Sequence, residues 1–171
     1  MLQRKPDIGY LPTAREIVEV MLALAKVGEG DVLYDLGSGD GRIAIAAAQR
    51  FGVRGVGIDI DPQRIQEANA NAREAGVGDR VEFRQQDLFE SDFRKATVIC
   101  LYLLPHLNLR LRPQLFDQLQ PGTRIVSRDF DMGDWEPALA IELQVPEETI
   151  LYYWEIPAEI PEPWHPKLFA S

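Results

Sequence analysis

Val32-Leu33-Tyr34-Asp35-Leu36-Gly37-Ser38-Gly39-Asp40-Gly41-Arg42 is the stretch whose reading decides the fold. Val32 to Tyr34 have the β-prone, apolar character of a short buried strand. Gly37 to Gly41 form a tight loop, and Ile43 to Phe51 continue as an apolar helix that Gly52 ends. Strand, glycine turn and helix start together make a ligand cradle. The glycines withhold Cβ atoms where a small molecule approaches the backbone, and the helix N-terminus offers N–H groups that no helix carbonyl pairs.

Spacing decides which ligand such a cradle takes. Counted from Gly37, the dinucleotide pattern G-x-G-x-x-G needs a third glycine where Arg42 stands. Counted from Gly39 it closes on Ala44, a permitted variant, but the first glycine then lies far from the strand end and Asp35 is left without a role. The fuller pattern is Asp-x-Gly-x-Gly-x-Gly, with the carboxylate at the strand end. A carboxylate there repels a pyrophosphate and holds an ammonium group, so an amino-acid-bearing nucleoside fits better than NAD. In these residues the segment resembles the first motif of the class I S-adenosylmethionine-dependent methyltransferases. The resemblance implies an α/β fold with a doubly wound, mostly parallel Rossmann-like sheet, and S-adenosylmethionine as cofactor. It places Asp35, Gly37, Ser38 and Gly39 around the cofactor.

The rest of the chain extends the pattern. Thr13, with Glu16 three residues later, reads as the N-cap of a capping box opening a helix to about Val27, with Gly28 and Gly30 at its exit. Gly55 to Asp59 form a second strand ending in a carboxylate, and Asp59 has the two acceptor oxygens that a ribose diol requires. Asp61-Pro62 caps the next helix, which runs to about Ala75 before Gly76. Val81 to Gln85 make a third strand. By resemblance, Asp87 then accepts from an adenine amino group while Leu88 or Phe89 packs beside the ring; a plain helix cap by Asp87 is the alternative. The resemblance also lays the leading segment, Tyr10 to Thr13, over the cofactor, and adds Ile60 and Leu101 to the residues that line it.

Thr97 to Leu104 suit a central strand buried on both faces. Pro105 to Asn108 follow, where the family places substrate-facing residues, and then a helical stretch that Pro113 interrupts. Arg124 to Phe130 form a fifth strand. Only 131–137 separate it from Ala138 to Val145, too short a link for a parallel crossover, so Ala138 to Val145 are expected antiparallel to strand five. Thr149 to Ile156 then return as an edge strand, completing a C-terminal antiparallel hairpin. The tail from Pro157 carries Pro157, Pro161, Pro163 and Pro166 and is expected to be extended. Residues 1–171 read as one domain: a helical segment over 1–30, a core over 31–156 and the proline-rich tail. Pro12-Thr13, the wording of Asp35 to Arg42 and the terse region after strand five resemble small prokaryotic methyltransferases related to the ATP synthase c-subunit lysine methyltransferase family.

Composition narrows the partners. A chain of 171 residues, 46% of them hydrophobic, buries a sizeable core. The apolar run Val98 to Leu104 is too short to span a bilayer, and Arg4 to Asp7 do not begin a signal peptide, so a soluble, cytoplasmic protein is expected. The lone Cys100 reads as core. Net charge is −9, yet residues 1–128 hold 17 basic and 17 acidic side chains. The whole excess lies beyond them, ten carboxylates against Lys167. That distribution disfavours nucleic acid and favours a cationic acceptor, a basic protein segment, with a small molecule as the alternative.

Methyl transfer from a sulfonium needs alignment, exclusion of water and removal of one proton, and no metal. His106 and His165 are not a ligand-spaced pair. Tyr102, His106, Asp129 and Asp131 are the polar groups expected at the acceptor mouth. A small-molecule methyltransferase and a noncatalytic S-adenosylmethionine-binding protein are the alternative readings.

Overall fold

The computed structural model describes residues 12–164. Its elements follow the chain as α1 (Arg15–Leu24), β1 (Val32–Leu36), α2 (Arg42–Phe51), β2 (Arg54–Asp59), α3 (Pro62–Glu74), β3 (Val81–Gln85) and β4 (Val98–Leu101). Then come α4 (Pro105–Gln118), β5 (Arg124–Arg128), β6 (Leu139–Leu143) and β7 (Thr149–Glu155). The strands form one sheet in the order β3-β2-β1-β4-β5-β7-β6. The first five are parallel, while β7 runs antiparallel to both of its neighbours.

Alternation along each strand sends side chains to opposite faces and divides the core in two. On one face Leu33, Val98, Cys100 and Val126 pack with Ile17 and Met21 of α1, Ile43 and Ala47 of α2, and Ala68 of α3. On the other, Leu36, Ile58, Ile99 and Leu101 pack with Leu107, Leu111 and Leu115 of α4 and with Trp154. The sequence pattern Leu107, Leu111, Leu115 is the single stripe by which α4 docks. Both faces of β4 are covered, as its unbroken apolar run predicts.

Several expectations change. Thr13 is not a cap: Ala14 holds the N-cap position of α1 without a side-chain bond, and Thr13 is buried instead. The helix stops at Leu24, short of Val27, because Lys26 turns left-handed with φ 52°. β4 ends at Leu101 and releases Tyr102 to Leu104 into the following loop. Pro113 does not interrupt α4. The carbonyl that its ring deprives of a partner belongs to Leu109, an exposed residue. β5 ends at Arg128, since Asp129 takes φ 63°. In the tail, Glu162–Trp164 form a 3-10 turn, and the Trp164 ring stacks 6.0 Å from Phe116.

The topology of the last strands is the largest correction. β6 is not beside β5; β7 lies between them, so the edge strand is β6 and both run in the same direction. A short link suffices because the crossing is shallow. Leu139, where β6 begins, and Val126 both pair with Tyr153, so β6 starts only two residues short of the level at which β5 ends. The return along the strand direction is therefore about 7 Å, within reach of ten residues. On its way over β7 the link buries Met132 and Trp135, and the Trp154 indole donates to the Trp135 carbonyl at 2.9 Å.

Candidate active site

The carboxyl ends of the parallel strands bring together Asp35 from β1, Asp59 from β2 with Ile60 just beyond it, Asp87 and Leu88 beyond β3, Leu101 from β4 with Tyr102 just beyond it, and Asp129 beyond β5. Ligands of open α/β sheets bind along this edge. Between β1 and α2 the glycine loop is fixed by its own backbone: the N–H groups of Gly37 and Ser38 both donate to the Ile58 carbonyl, at 2.8 and 3.0 Å. Asp59 closes it from the other side. Its Oδ2 accepts from the Gly39 N–H and its Oδ1 from the Asp61 N–H, both at 2.9 Å.

The glycines divide into two kinds. A Cβ on Gly37 would meet only Leu103, at 3.3 Å, which leaves the loop's outer rim open to a ligand. A Cβ on Gly41 would lie 2.5 Å from the Phe83 ring, as would one on Gly57, which would also meet Ser38 Cβ at 2.7 Å. Gly41 and Gly57 thus serve packing: they let Phe83 of β3 slide under the loop.

Charge is concentrated on the same edge. Asp35 is buried, and its pKa is raised well above the ordinary range, first by burial and then by the charges of Asp59 and Asp40. Asp59 is raised as well, chiefly by burial, against the opposing pull of the Asp61 and Gly39 N–H bonds. A cationic group brought among these carboxylates would relieve their repulsion. The Ser38 hydroxyl is buried without a hydrogen-bond partner, a polar atom that a ligand can satisfy. The donor set and the carboxylates therefore fit a nucleoside bearing an amino acid. Cys100, whose thiol is pushed up by burial and by Asp35, is a core residue and not a nucleophile.

Of the other expected residues, Asp87 caps the 3-10 turn Leu88–Glu90 by accepting from the Phe89 N–H at 3.0 Å. Leu88 and Phe89 are half-buried, and the Arg110 guanidinium lies 3.9 Å over the Phe89 ring. Thr13 belongs to the site's border: its carbonyl accepts from Arg42 at 2.8 Å and its hydroxyl from Arg128 at 3.1 Å. Tyr10 and His165 lie outside the described residues. Beyond β4 and β5, Tyr102 stacks on Phe130 with ring centroids 6.0 Å apart. Asp129 accepts from the Ile150 N–H at 3.0 Å, and Asp131 from the Gly133 N–H at 3.0 Å. His106 stands apart from these, exposed in the first turn of α4.

Two residues hold this side in place: Asn108, expected only as part of a substrate-facing stretch, and Arg128, which sequence reading passed over. Asn108, fully buried, donates to the carbonyls of Phe130 and Asp131 at 3.2 and 3.1 Å. Arg128, also buried, contacts the Tyr102 ring and pairs with Glu147. Each carries a signal in hindsight. Asn108 interrupts the helical stripe Leu104, Leu111, Leu115, and Arg128 is a charge at the end of an apolar strand; a buried polar group at such a position must have partners.

Comparison with known proteins settles the class. Residues 35–139, more than half of the chain, match the ANTKMT methyltransferase domain. The chain belongs to this methyltransferase family. A protein-lysine N-methyltransferase from Saccharolobus islandicus is 43% identical over 140 residues, covering 81% of this chain and 87% of that protein. The ATP synthase c-subunit lysine N-methyltransferase of Homo sapiens is 28% identical over 78% of this chain, which spans 57% of that longer protein. Among solved structures, an RNA methyltransferase from Salinibacter ruber in complex with S-adenosyl-L-homocysteine superposes with a TM-score of 0.86. It is 58% identical, with 89% of this chain and 97% of that chain covered. The sheet order, the glycine loop and these relatives identify a class I S-adenosylmethionine-dependent methyltransferase. The dinucleotide reading is set aside.

Proposed function

We propose that the protein methylates lysine side chains of a basic protein segment, with S-adenosylmethionine as methyl donor. When bound, the donor supplies an electrophilic methyl group on sulfur. In this reading Asp35 holds the ammonium end of the cofactor, Gly37, Ser38 and Gly39 form its cradle, and Asp59 and Ile60 face the ribose. Asp87, Leu88 and Leu101 border the adenine. Tyr10 and Thr13 belong to the segment that covers them. A lysine ammonium has an ordinary pKa near ~10.4 and must lose its proton before attack, since only the free lone pair forms the new N–C bond. Tyr102, Asp129 and Asp131 are the groups that orient the amine at the mouth; His106, exposed on α4, is further from this role. The protein works as one domain in the cytoplasm. No helix among the described residues is long and apolar enough to cross a membrane.

The observation that carries the acceptor class is charge. Residues 129–162 contain ten carboxylates and no lysine or arginine, and they include everything from the end of β5 through β6 and β7. The field is felt locally: the Tyr152 hydroxyl is raised by burial and then by Asp131, Asp129 and Glu142. Such a rim attracts a cationic segment and repels a polyanion. RNA is the second reading, because the Salinibacter ruber relative is described as an RNA methyltransferase. Incubation with labelled S-adenosylmethionine and, separately, protein and RNA from the same cells decides between them. Label recovered as methyl-lysine supports the proposal; label in RNA or in small metabolites overturns it.

A further inference from the structure

Arg128 is the last residue of β5, and its side chain is almost fully enclosed, with 5% of the residue exposed. Its guanidinium reaches four segments. Nη1 donates to the Thr13 hydroxyl at 3.1 Å, ahead of α1. Nη2 donates to Glu147 Oε1 at 2.9 Å, in the turn between β6 and β7. Nε lies 3.6 Å from Asp129 Oδ2, and the guanidinium carbon is 4.5 Å from the centre of the Tyr102 ring, at the exit of β4. Nε itself has no hydrogen bond. Enclosing a cation whose two carboxylate partners, Asp129 and Glu147, both stay partly exposed is a poor way to stabilise a fold, because desolvation offsets much of the attraction.

The contacts continue toward the glycine loop. Thr13, whose hydroxyl binds Arg128, gives its carbonyl to Arg42 Nη1 at 2.8 Å. Arg42 is in turn gripped by Asp40 of the loop, through Nε at 3.0 Å and Nη2 at 2.5 Å. One residue, Thr13, is therefore clamped by an arginine from each side. Arg42 belongs to the cofactor loop, and Arg128 to the strand end bearing the acceptor groups.

We propose that Arg128 is a positioning residue for methyl transfer: it sets Tyr102 and the β6–β7 turn at a fixed distance from the glycine loop, and so fixes the line along which the acceptor nitrogen approaches. The inference rests on the reading above that the acceptor enters over the ends of β4 and β5. An in-line displacement is sensitive to such placement, since an error of about 1 Å can lower the rate about a hundredfold. Lysine cannot replace Arg128, because an ammonium does not span Thr13, Glu147 and a ring face at once.

The test compares the unaltered protein with Arg128→Lys, Glu147→Gln and the double variant. The acceptor is a ten-residue peptide with one central lysine between arginines, and S-adenosylhomocysteine affinity and thermal midpoint are measured alongside. Expected are a fall in kcat of at least about tenfold for Arg128→Lys and a severalfold rise in peptide KM for Glu147→Gln. S-adenosylhomocysteine affinity stays within about threefold, and the double variant is no worse than Arg128→Lys alone. Glu147 is exposed enough that its variant folds even if the arginine change does not. Unchanged kcat and KM in the folded variants overturns the proposal, as does a loss confined to stability and cofactor affinity. No peptide turnover by the unaltered protein removes the lysine reading and this proposal together; normal turnover with an indifferent Arg128→Lys removes the proposal alone.

Discussion

The ends of β1 and β2, and the end of β5 with the start of β7 beside it, face the same edge of the sheet but are built by different means. On the first side the bonds end on backbone groups of paired strands and the loops just beyond them: the Gly39 and Asp61 N–H groups donate to the Asp59 carboxylate, and those of Gly37 and Ser38 to one carbonyl of β2. On the second side they are side-chain bonds between distant segments, Asn108 to the loop after β5 and Arg128 to Thr13 and Glu147. The cofactor side is thus close to rigid once its strands pair. The side beyond β4 and β5, where the acceptor is proposed to enter, depends on several elements arriving in place, which suits a surface that differs among enzymes sharing one cofactor.

The sharpest way to break the comparison is to disturb the first side. Gly57→Val would drive a side chain into Phe83 and Ser38 from 2.5 and 2.7 Å. It should destabilise the protein by about 3 kcal/mol, read by urea unfolding, and abolish S-adenosylhomocysteine binding. A loss below about 1 kcal/mol would show that the loop yields more than its packing implies.

Asp59→Ala comes next. It orphans the Gly39 and Asp61 N–H groups and removes the proposed ribose acceptor, so cofactor affinity should fall by on the order of 1.5–3 kcal/mol, at least about tenfold by calorimetry. Unchanged affinity in a folded variant would remove Asp59 from the site.

Asp35→Asn should separate binding from stability. The folded protein holds the Asp35 proton to higher pH than the unfolded chain does. Its stabilising contribution is therefore complete below the ordinary aspartate value near ~3.9 and is lost as pH climbs through the raised value. At neutral pH without cofactor, the amide variant should melt about 2–4 °C higher, while cofactor affinity falls. A lower melting point would mean that Asp35 is already neutralised in the free protein.

The smallest effect belongs to the acidic rim. Replacing Asp131, Glu142 and Glu148 by their amides should raise the KM of a basic acceptor severalfold at low salt and little at about 0.15 M, where the Debye length is about 8 Å. Cofactor affinity should not respond. Equal salt dependence before and after the change would show that the rim does not steer the acceptor.

The same division explains what was legible in the sequence. Glycine spacing, a carboxylate at a strand end and Asp61-Pro62 are local signals, and β1 to β3, the Asp61 cap and the class of ligand follow from them. Asp61 does cap α3, accepting from the Gln63 N–H at 2.9 Å. Thr13 misled because its neighbourhood fits a capping box, while a distant arginine offers the hydroxyl a better-enclosed partner. The order of the last strands was hidden for a related reason. Link length limits a crossover only when the strands share a level, and the stagger of β6 against β5 is set by pairing with β7, not by the link.

β6 leaves one whole edge of the sheet without a neighbour among the described residues, and Leu139 on that strand is 46% exposed, with Val145 just beyond it at 82%. Open strands of this kind invite a second copy to zip on. Here Glu136, Glu142, Glu147 and Glu148 surround the edge, so two molecules meeting there at neutral pH oppose like charges. The guard is only as strong as the field it presents: salt that screens the carboxylates, with a Debye length of about 3 Å at about 1 M, leaves the unpaired backbone undefended. The acidic surface proposed to recruit a basic acceptor thus also keeps the protein apart from itself, and high salt should lead to self-association through this strand.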